Sequence, residues 1–337
     1  VRTQTGTLLL ISWRVNIDGS ITRAGDSAKQ AGRASNIDIA RRGNKYVTAC
    51  RTASGNLKLI SWDVTDAGAI TRTGDSGDQA GEASRIKIVA LTDTIFVTAC
   101  CAGSAIIGRR SPIPLMLISW RLNSDGSFTR LKDSGTAAGA VSEVSLIVFQ
   151  TSVPRIAGRV ITSVRTDDGR LKLIVWSVAN SGSFTRLGDS ASRAGAATMI
   201  RSVLYVPGSV VTAVCAGNDK LKLISWGISN NGETVTRLHD SGEKAGKIRD
   251  NALSTPRALN LISAVQTEAG NLKLISWFVD GEGVFERLGD SRDQAGAASL
   301  IVLNQEEFFG PPGIVTSVRT ASKTLKLISW QEVLPSL

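Results

Sequence analysis

Short apolar segments, rich in Val, Ile and Thr and closed by Gly, Asp, Asn or Ser, alternate with polar turns along this chain. Segments of that length and composition predict β-strands joined by tight turns, and helical spacing is essentially missing. One segment, Leu57-Lys58-Leu59-Ile60-Ser61-Trp62, returns in near copies that end at Trp13, Trp62, Trp120, Trp176, Trp226, Trp277 and Trp330. These are all the tryptophans of the 337 residues, and successive copies lie 49 to 58 residues apart. A period of that size marks a solenoid, a propeller or an array, in which each unit buries its faces by stacking on its neighbours.

The second copy shows the whole unit. Ala34 to Ile39 predicts a first strand, Tyr46 to Thr52 a second, the tryptophan segment through Val64 a third, and Ile70 to Ser76 a fourth. The pair before the fourth strand is Asp18-Gly19, Ala67-Gly68, Asp125-Gly126, Ser181-Gly182, Asn231-Gly232 or Glu282-Gly283, a composition that favours hairpin turns. Leu57, Leu59, Ile60, Trp62 and Val64 make both faces of the third strand apolar, so each small sheet is expected to be covered on both sides. Blades stacked around an axis meet that requirement. The fold class expected is all-β: a seven-bladed β-propeller of four-stranded antiparallel blades, forming a single domain over residues 1–337. The third strand occurs seven times and the first and fourth six times each. Six blades plus an N-terminal hairpin is the alternative count.

Composition narrows the function classes. The hydrophobic share of 42% suffices for a core, and no apolar run is long enough for a transmembrane helix. Val1 does not begin a signal peptide, which fits a mature secreted chain or a cytosolic one. The net charge of +10 favours an anionic surface as partner. It is thinly spread, with Arg41-Arg42 and Arg109-Arg110 the only adjacent basic pairs, so no specific nucleic-acid partner is expected. Cys50, Cys100, Cys101 and Cys215 form no CxxC pair, and His239 is the one histidine, so neither a metal site nor a cofactor is expected. Cys50 and Cys100 stand where other copies carry Val164, Val214, Val265 and Val318, the place of a small buried hydrophobe.

Candidate chemistry lies in residues that repeat. Asp26, Asp75, Asp133, Asp189, Asp240 and Asp290 each precede a serine, then an Ala-Gly pair where the chain crosses to the next unit. An arginine stands three residues before each: Arg23, Arg72, Arg130, Arg186, Arg237 and Arg287. Arg2, Arg51, Arg165 and Arg319 close second strands, and Lys58, Lys172, Lys222, Lys273 and Lys326 open third strands. In a meander all of these share one rim. One reading makes the aspartates turn-holders and the arginines their partners between blades. The other makes each rim a pocket in which Arg, Asp, Ser and an indole bind a small polar ligand, a sugar above all. The seven tryptophans fit either account, as packing that spaces the blades or as platforms for sugar faces. No catalytic residue is assigned, since no Ser/His/Asp spacing, nucleophile elbow or HExxH is present. Departures from the repeat fall at 102–114, 150–158, 254–260 and 305–312, where a single-blade site would sit. Glu306-Glu307, beside Phe308-Phe309, lies in the last of these.

The run from Leu171-Lys172-Leu173-Ile174-Val175-Trp176 to Gly188 resembles the third and fourth strands of seven-bladed lactonase-type propellers, and Asn123 to Thr129 resembles the Asp-box hairpin of sialidases. The lactonase group's catalytic Glu, Arg and His have no counterpart located in this chain. Recurrence of Trp and Arg in each blade is similar to propeller lectins with repeated sites. The expected function is therefore a non-enzymatic, ligand-binding propeller, a carbohydrate-binding lectin with sites between blades and a glycan or other small polar molecule as ligand. As a lectin it is expected to be secreted and extracellular, with the cytoplasm the alternative. The competing readings are a hydrolase or lactonase-like enzyme with one site at the central mouth, built from His239 and the Arg109-Arg110 loop, and a scaffold for protein partners.

Overall fold

The computed structural model describes residues 1–103, 113–135, 137–151, 156–191, 193–257, 259–292, 294–303 and 313–331. Every regular element among them is a β-strand. The repeat at 34–75 sets the pattern: Ala34–Arg42, Lys45–Thr52, Leu57–Val64 and Ile70–Asp75 pair antiparallel in chain order. Repeats at 197–240 and 248–290 form separate four-stranded sheets in the same way. Those at 83–133 and 140–189 join into one eight-stranded sheet, because Ala140 and Val141 pair with Pro114 and Ile113. Residues 298–331 supply three strands, and Ile11–Val15 pairs with Ile21–Asp26 near the start. Seven third strands and six fourth strands are present among the described residues, as the tryptophan and Asp-Ser counts predict.

The backbone falls into two compact units. One holds Val1–Trp13, Arg23–Ala191 and Asn231–Glu233; the other holds Arg14–Thr22, Ser192–Asn230 and Thr234–Leu337.

Within each unit the packing follows from strand alternation, which sends successive side chains to opposite faces. On Leu57–Val64 one face carries Ile60 and Trp62, which pack with Leu8 and Leu10 of the opening segment. The other carries Leu57 and Leu59, which pack with Ile86, Phe96, Ile118 and Trp120 of the next repeat. The second unit repeats the scheme, with Leu221 and Leu223 against Ile275 and Trp277. Both faces of the sheet are thus buried against neighbours, which explains why these strands lack the half-polar pattern of an open sheet.

Glycine at the turn between third and fourth strands has a second task besides turning. Gly68 has φ +90°, and a Cβ there would lie 2.4 Å from Ala24 Cβ. Ser12 Oγ donates to Gly68 O at 2.6 Å, so the turn presses its backbone onto the preceding third strand. Ser61 donates likewise to Gly126 O, Ser119 to Gly182 O and Ser225 to Gly283 O. Ser329 makes the same bond to Gly19 O, so the last third strand treats the opening hairpin as its next neighbour.

Candidate functional site

Each Asp-Ser pair is first a joint. Asp75 Oδ1 accepts the N–H of Gly77 at 2.6 Å, and Asp189 does the same for Ala191. The serine behind it is buried and doubly engaged: Ser76 Oγ accepts Leu59 N–H at 3.0 Å while Ser76 N–H donates to Leu59 O. Ser27, Ser134, Ser190, Ser241 and Ser291 bind their third strands in the same manner. Through these paired bonds the serines fasten the crossing segment to the blade it leaves.

The arginine three residues upstream pairs with that same aspartate inside its own strand, as in Arg72 with Asp75 and Arg186 with Asp189. Pairing between blades was one expectation, and the geometry corrects it. What the guanidinium reaches next door is backbone: Arg72 Nη1 donates to Gln30 O, Arg186 to Ala137 O and Arg287 to Lys244 O, at 2.8 to 2.9 Å. A lysine of the third strand joins the aspartate from the other side. Lys58 Nζ lies 3.5 Å from Asp75, Lys172 3.3 Å from Asp189, Lys222 3.8 Å from Asp240 and Lys273 3.9 Å from Asp290. Burial raises the carboxyls of Asp75 and Asp189, but the Gly77 and Ala191 N–H groups and the flanking cations outweigh it and hold both below the ordinary value.

Two cavities open beside these clusters, at the same place in two repeats. The larger, ≈ 590 Å³, is lined by Ala245, Gly246 and Lys247 of a crossing segment and by Thr267, Glu268, Lys273 and Arg287, over Val265 and Ile275. The smaller, ≈ 380 Å³, has Ala138, Gly139 and Ala140 on the crossing side, and Thr166, Asp167, Asp168, Lys172 and Arg186 over Val164 and Ile174. In each, the crossing glycine accepts a backbone hydrogen bond from the preceding repeat, Gly246 O from Leu221 N–H and Gly139 O from Leu115 N–H. Each cavity is therefore lined by one repeat and the crossing segment that enters it, which is hydrogen-bonded to the repeat before, and each lies within one compact unit. Their volumes suit a small ligand, and both combine an apolar floor with a charged rim.

The residues expected to form a site separate into three groups. Aspartates Asp26, Asp75, Asp133, Asp189, Asp240 and Asp290 sit at the joints described above. The second-strand arginines leave the pocket, since Val164 and Thr166 face it and Arg165, between them, points to the opposite face. Arg165 Nη1 instead donates to Ser142 Oγ at 3.0 Å and folds over Gly169. Arg51 and Arg2 lie over Gly55 and Gly6 in the same hairpin, and Arg319 is exposed. Five of the tryptophans offer no platform: Trp62, Trp120, Trp226 and Trp277 are 0% exposed and Trp176 1%. Each indole N–H donates at 3.0 Å to a second-strand hydroxyl, Thr48, Thr98, Thr162, Thr212 or Ser263. Trp330 bonds Thr316 and is half-buried, and Trp13, in the short opening strand, is 36% exposed.

Pocket residues that the repeat pattern named but did not single out are the third-strand lysines and fourth-strand arginines. Thr166, Thr267, Asp167, Asp168 and Glu268 line the cavities without having been expected to. Register alone would have found the threonines, because they lie two residues after the floor valines.

Single-site candidates fare differently. The His239 side chain is exposed, while its backbone bonds Ser225 Oγ. Arg109-Arg110, Glu306-Glu307 and Phe308-Phe309 lie outside the described residues. No group of metal-ligating side chains is present among the described residues, and no described helix crosses a membrane. All four cysteines are buried thiols outside any disulfide. Desolvation pushes the thiols of Cys50 and Cys101 to about 11 and that of Cys100 to about 12.

No family model matches this sequence, and no curated protein matches it either. Solved structures do. A proposed 6-phosphogluconolactonase of Bacteroides fragilis superposes with TM-score 0.62 at 11% identity, covering 95% of this chain and 90% of its own. Sqt1 of Saccharomyces cerevisiae gives TM-score 0.55 at 12% identity, with 96% and 91% covered. The Aleuria aurantia lectin, solved with α-methyl-L-fucoside, gives 0.52 at 14% identity, with 88% and 91% covered. Identities this low speak to architecture alone, and with the antiparallel four-stranded sheets they show that the chain has a β-propeller fold.

Proposed function

We propose that this protein is a non-enzymatic carbohydrate-binding propeller whose sites repeat between adjacent blades. The observation that carries the proposal is the recurrence of one cavity in two repeats, lined at matching positions by crossing Ala-Gly, second-strand Thr, third-strand Lys and fourth-strand Arg. A catalytic centre needs one constellation, whereas a binding module gains avidity from copies. An apolar floor of Val and Ile suits the C–H face of a sugar ring, and the mixed donors and acceptors of the rim suit its hydroxyls. The fucoside-bound Aleuria aurantia lectin among the structural neighbours supports the same reading. The Asp residues act here by holding Lys and Arg, and the buried tryptophans act by spacing the sheets.

A glycan array followed by calorimetric titration tests this. Binding at two or more equivalent sites per chain is expected. A single site, or hydrolysis of a lactone or glycoside, would favour the enzyme reading, and an empty array would favour a scaffold for protein partners.

A further inference from the structure

The charge balance of the pockets points to a ligand class, on the footing that they bind saccharides as proposed above. Asp290 faces two cations, Arg287 and Lys273, and its Oδ1 also accepts the Arg292 N–H at 2.7 Å. One carboxylate against two cations leaves a positive charge at the rim of the larger cavity. The other charged pair there, Lys247 with Glu268 at 3.5 Å, is neutral in itself. The surplus recurs where Lys58 and Arg72 share Asp75, Lys172 and Arg186 share Asp189, and Lys222 and Arg237 share Asp240. Among the described residues it is absent at 83–133, where Met116 takes the place of the lysine and Arg130 is the cation that meets Asp133, at 2.8 Å.

The lysines are partly sheltered, with side chains 28% exposed at Lys58 and Lys273. A sheltered ammonium that shares its carboxylate with an arginine gains more from a new anionic partner than a fully solvated one, because charge-assisted hydrogen bonds strengthen as water is excluded. A neutral pyranose leaves the surplus uncompensated. We infer that the pocket beside Lys273, and its counterparts, take the acidic group of an anionic saccharide such as a uronic acid. In the smaller cavity Asp167 stands at the rim and offsets the charge, so the Lys273 pocket is the more acid-selective of the two.

Calorimetry on the full chain with an oligogalacturonate and with its fully methyl-esterified form isolates the charge from the sugar. The acid form is expected to bind about tenfold tighter or more, the worth of one charge-assisted bond. That advantage shrinks at high salt. Lys273→Met and Lys273→Gln should each remove one acid-binding site, and Met116 shows that the repeat accommodates the first of these. Equal affinity for the ester overturns acid selectivity while leaving saccharide binding in place. Failure of both forms together with an empty glycan array overturns the lectin reading itself. Binding of a short single-stranded oligonucleotide as tightly as the acid saccharide, and equally reduced by Lys273→Met, overturns the inference in favour of general anion capture.

Discussion

The repeats at 83–133 and 140–189 share one eight-stranded sheet and almost one interior, yet they differ along the rim. Inside, Trp120 bonds Thr98 and Trp176 bonds Thr162, both at 3.0 Å, and Arg130 and Arg186 meet Asp133 and Asp189. At the rim, Met116 stands where the next repeat has Lys172, Cys101 where it has Arg165, Ala102 where it has Thr166 and Gly135 where it has Ala191. Each second-strand or third-strand difference sits within the first few residues of the hairpin between those strands. The lesson is that the joint and the indole are requirements of stacking, whereas the hairpin end is free to vary from one repeat to the next.

Substitutions that break or sharpen this comparison follow in order of size. Trp120→Ala and Trp176→Ala should cost about 3–5 kcal/mol each, and alike, in chemical denaturation, because both remove a fully buried indole. Trp62→Ala should act through stability in the same way, because an indole with no exposed face is lost to packing first. A large difference between the two repeats would show that their interiors are not equivalent. Ser134→Ala and Ser190→Ala each strip the acceptor from a third-strand N–H, and should cost about 1–3 kcal/mol by the same measurement.

Rim changes should move binding and leave stability within about 0.5 kcal/mol. Lys172→Met copies the 83–133 rim and is expected to lower titrated stoichiometry by one site, whereas Met116→Lys adds a cation beside Arg130 and Asp133. Melting temperatures that fall with either variant would mean that the lysines belong to the fold rather than to the pocket. For Asp189, whose folded carboxyl titrates below its unfolded value, the linked stability is present above the ordinary carboxylate pKa near about 4 and is lost as pH falls through the folded one. Lys172→Met should raise that titration in carboxyl-resolved NMR; an unchanged midpoint would show that the Ala191 N–H and Arg186 hold the carboxylate unaided. Smallest is Ala191→Gly. Ala191 has φ +50° where Gly135 has φ +56°, and relief of that strain, largely offset by the backbone entropy of glycine, should add less than about 0.5 kcal/mol.

Most of the fold was legible because stacking imposes itself on every copy. The period, the four strands, the Gly turns and the valine-like role of Cys50 and Cys100 were all readable from in-phase positions. The aspartates' hold on the crossing turns was readable too, since six copies ask for a joint. What alternation could have decided, and composition could not, was the facing of single residues. Arg165 and Thr166 are neighbours in sequence and fall on opposite faces, so a shared rim does not make a shared pocket. Burial of the indoles was the other missing piece: a tryptophan at a strand centre looks the same in sequence whether its ring meets a sugar or the next sheet.

One feature of the 83–133 interior gives a direct handle on blade opening. With thiols at about 11 and 12, Cys101 and Cys100 hold only a minute thiolate fraction at neutral pH and stay shielded from alkylating reagents. Their labelling rate therefore becomes a clock for transient separation of neighbouring sheets, read by mass spectrometry without any introduced probe. Saturating ligand that bridges two blades should slow that clock, while one that docks elsewhere should leave its ticking unchanged.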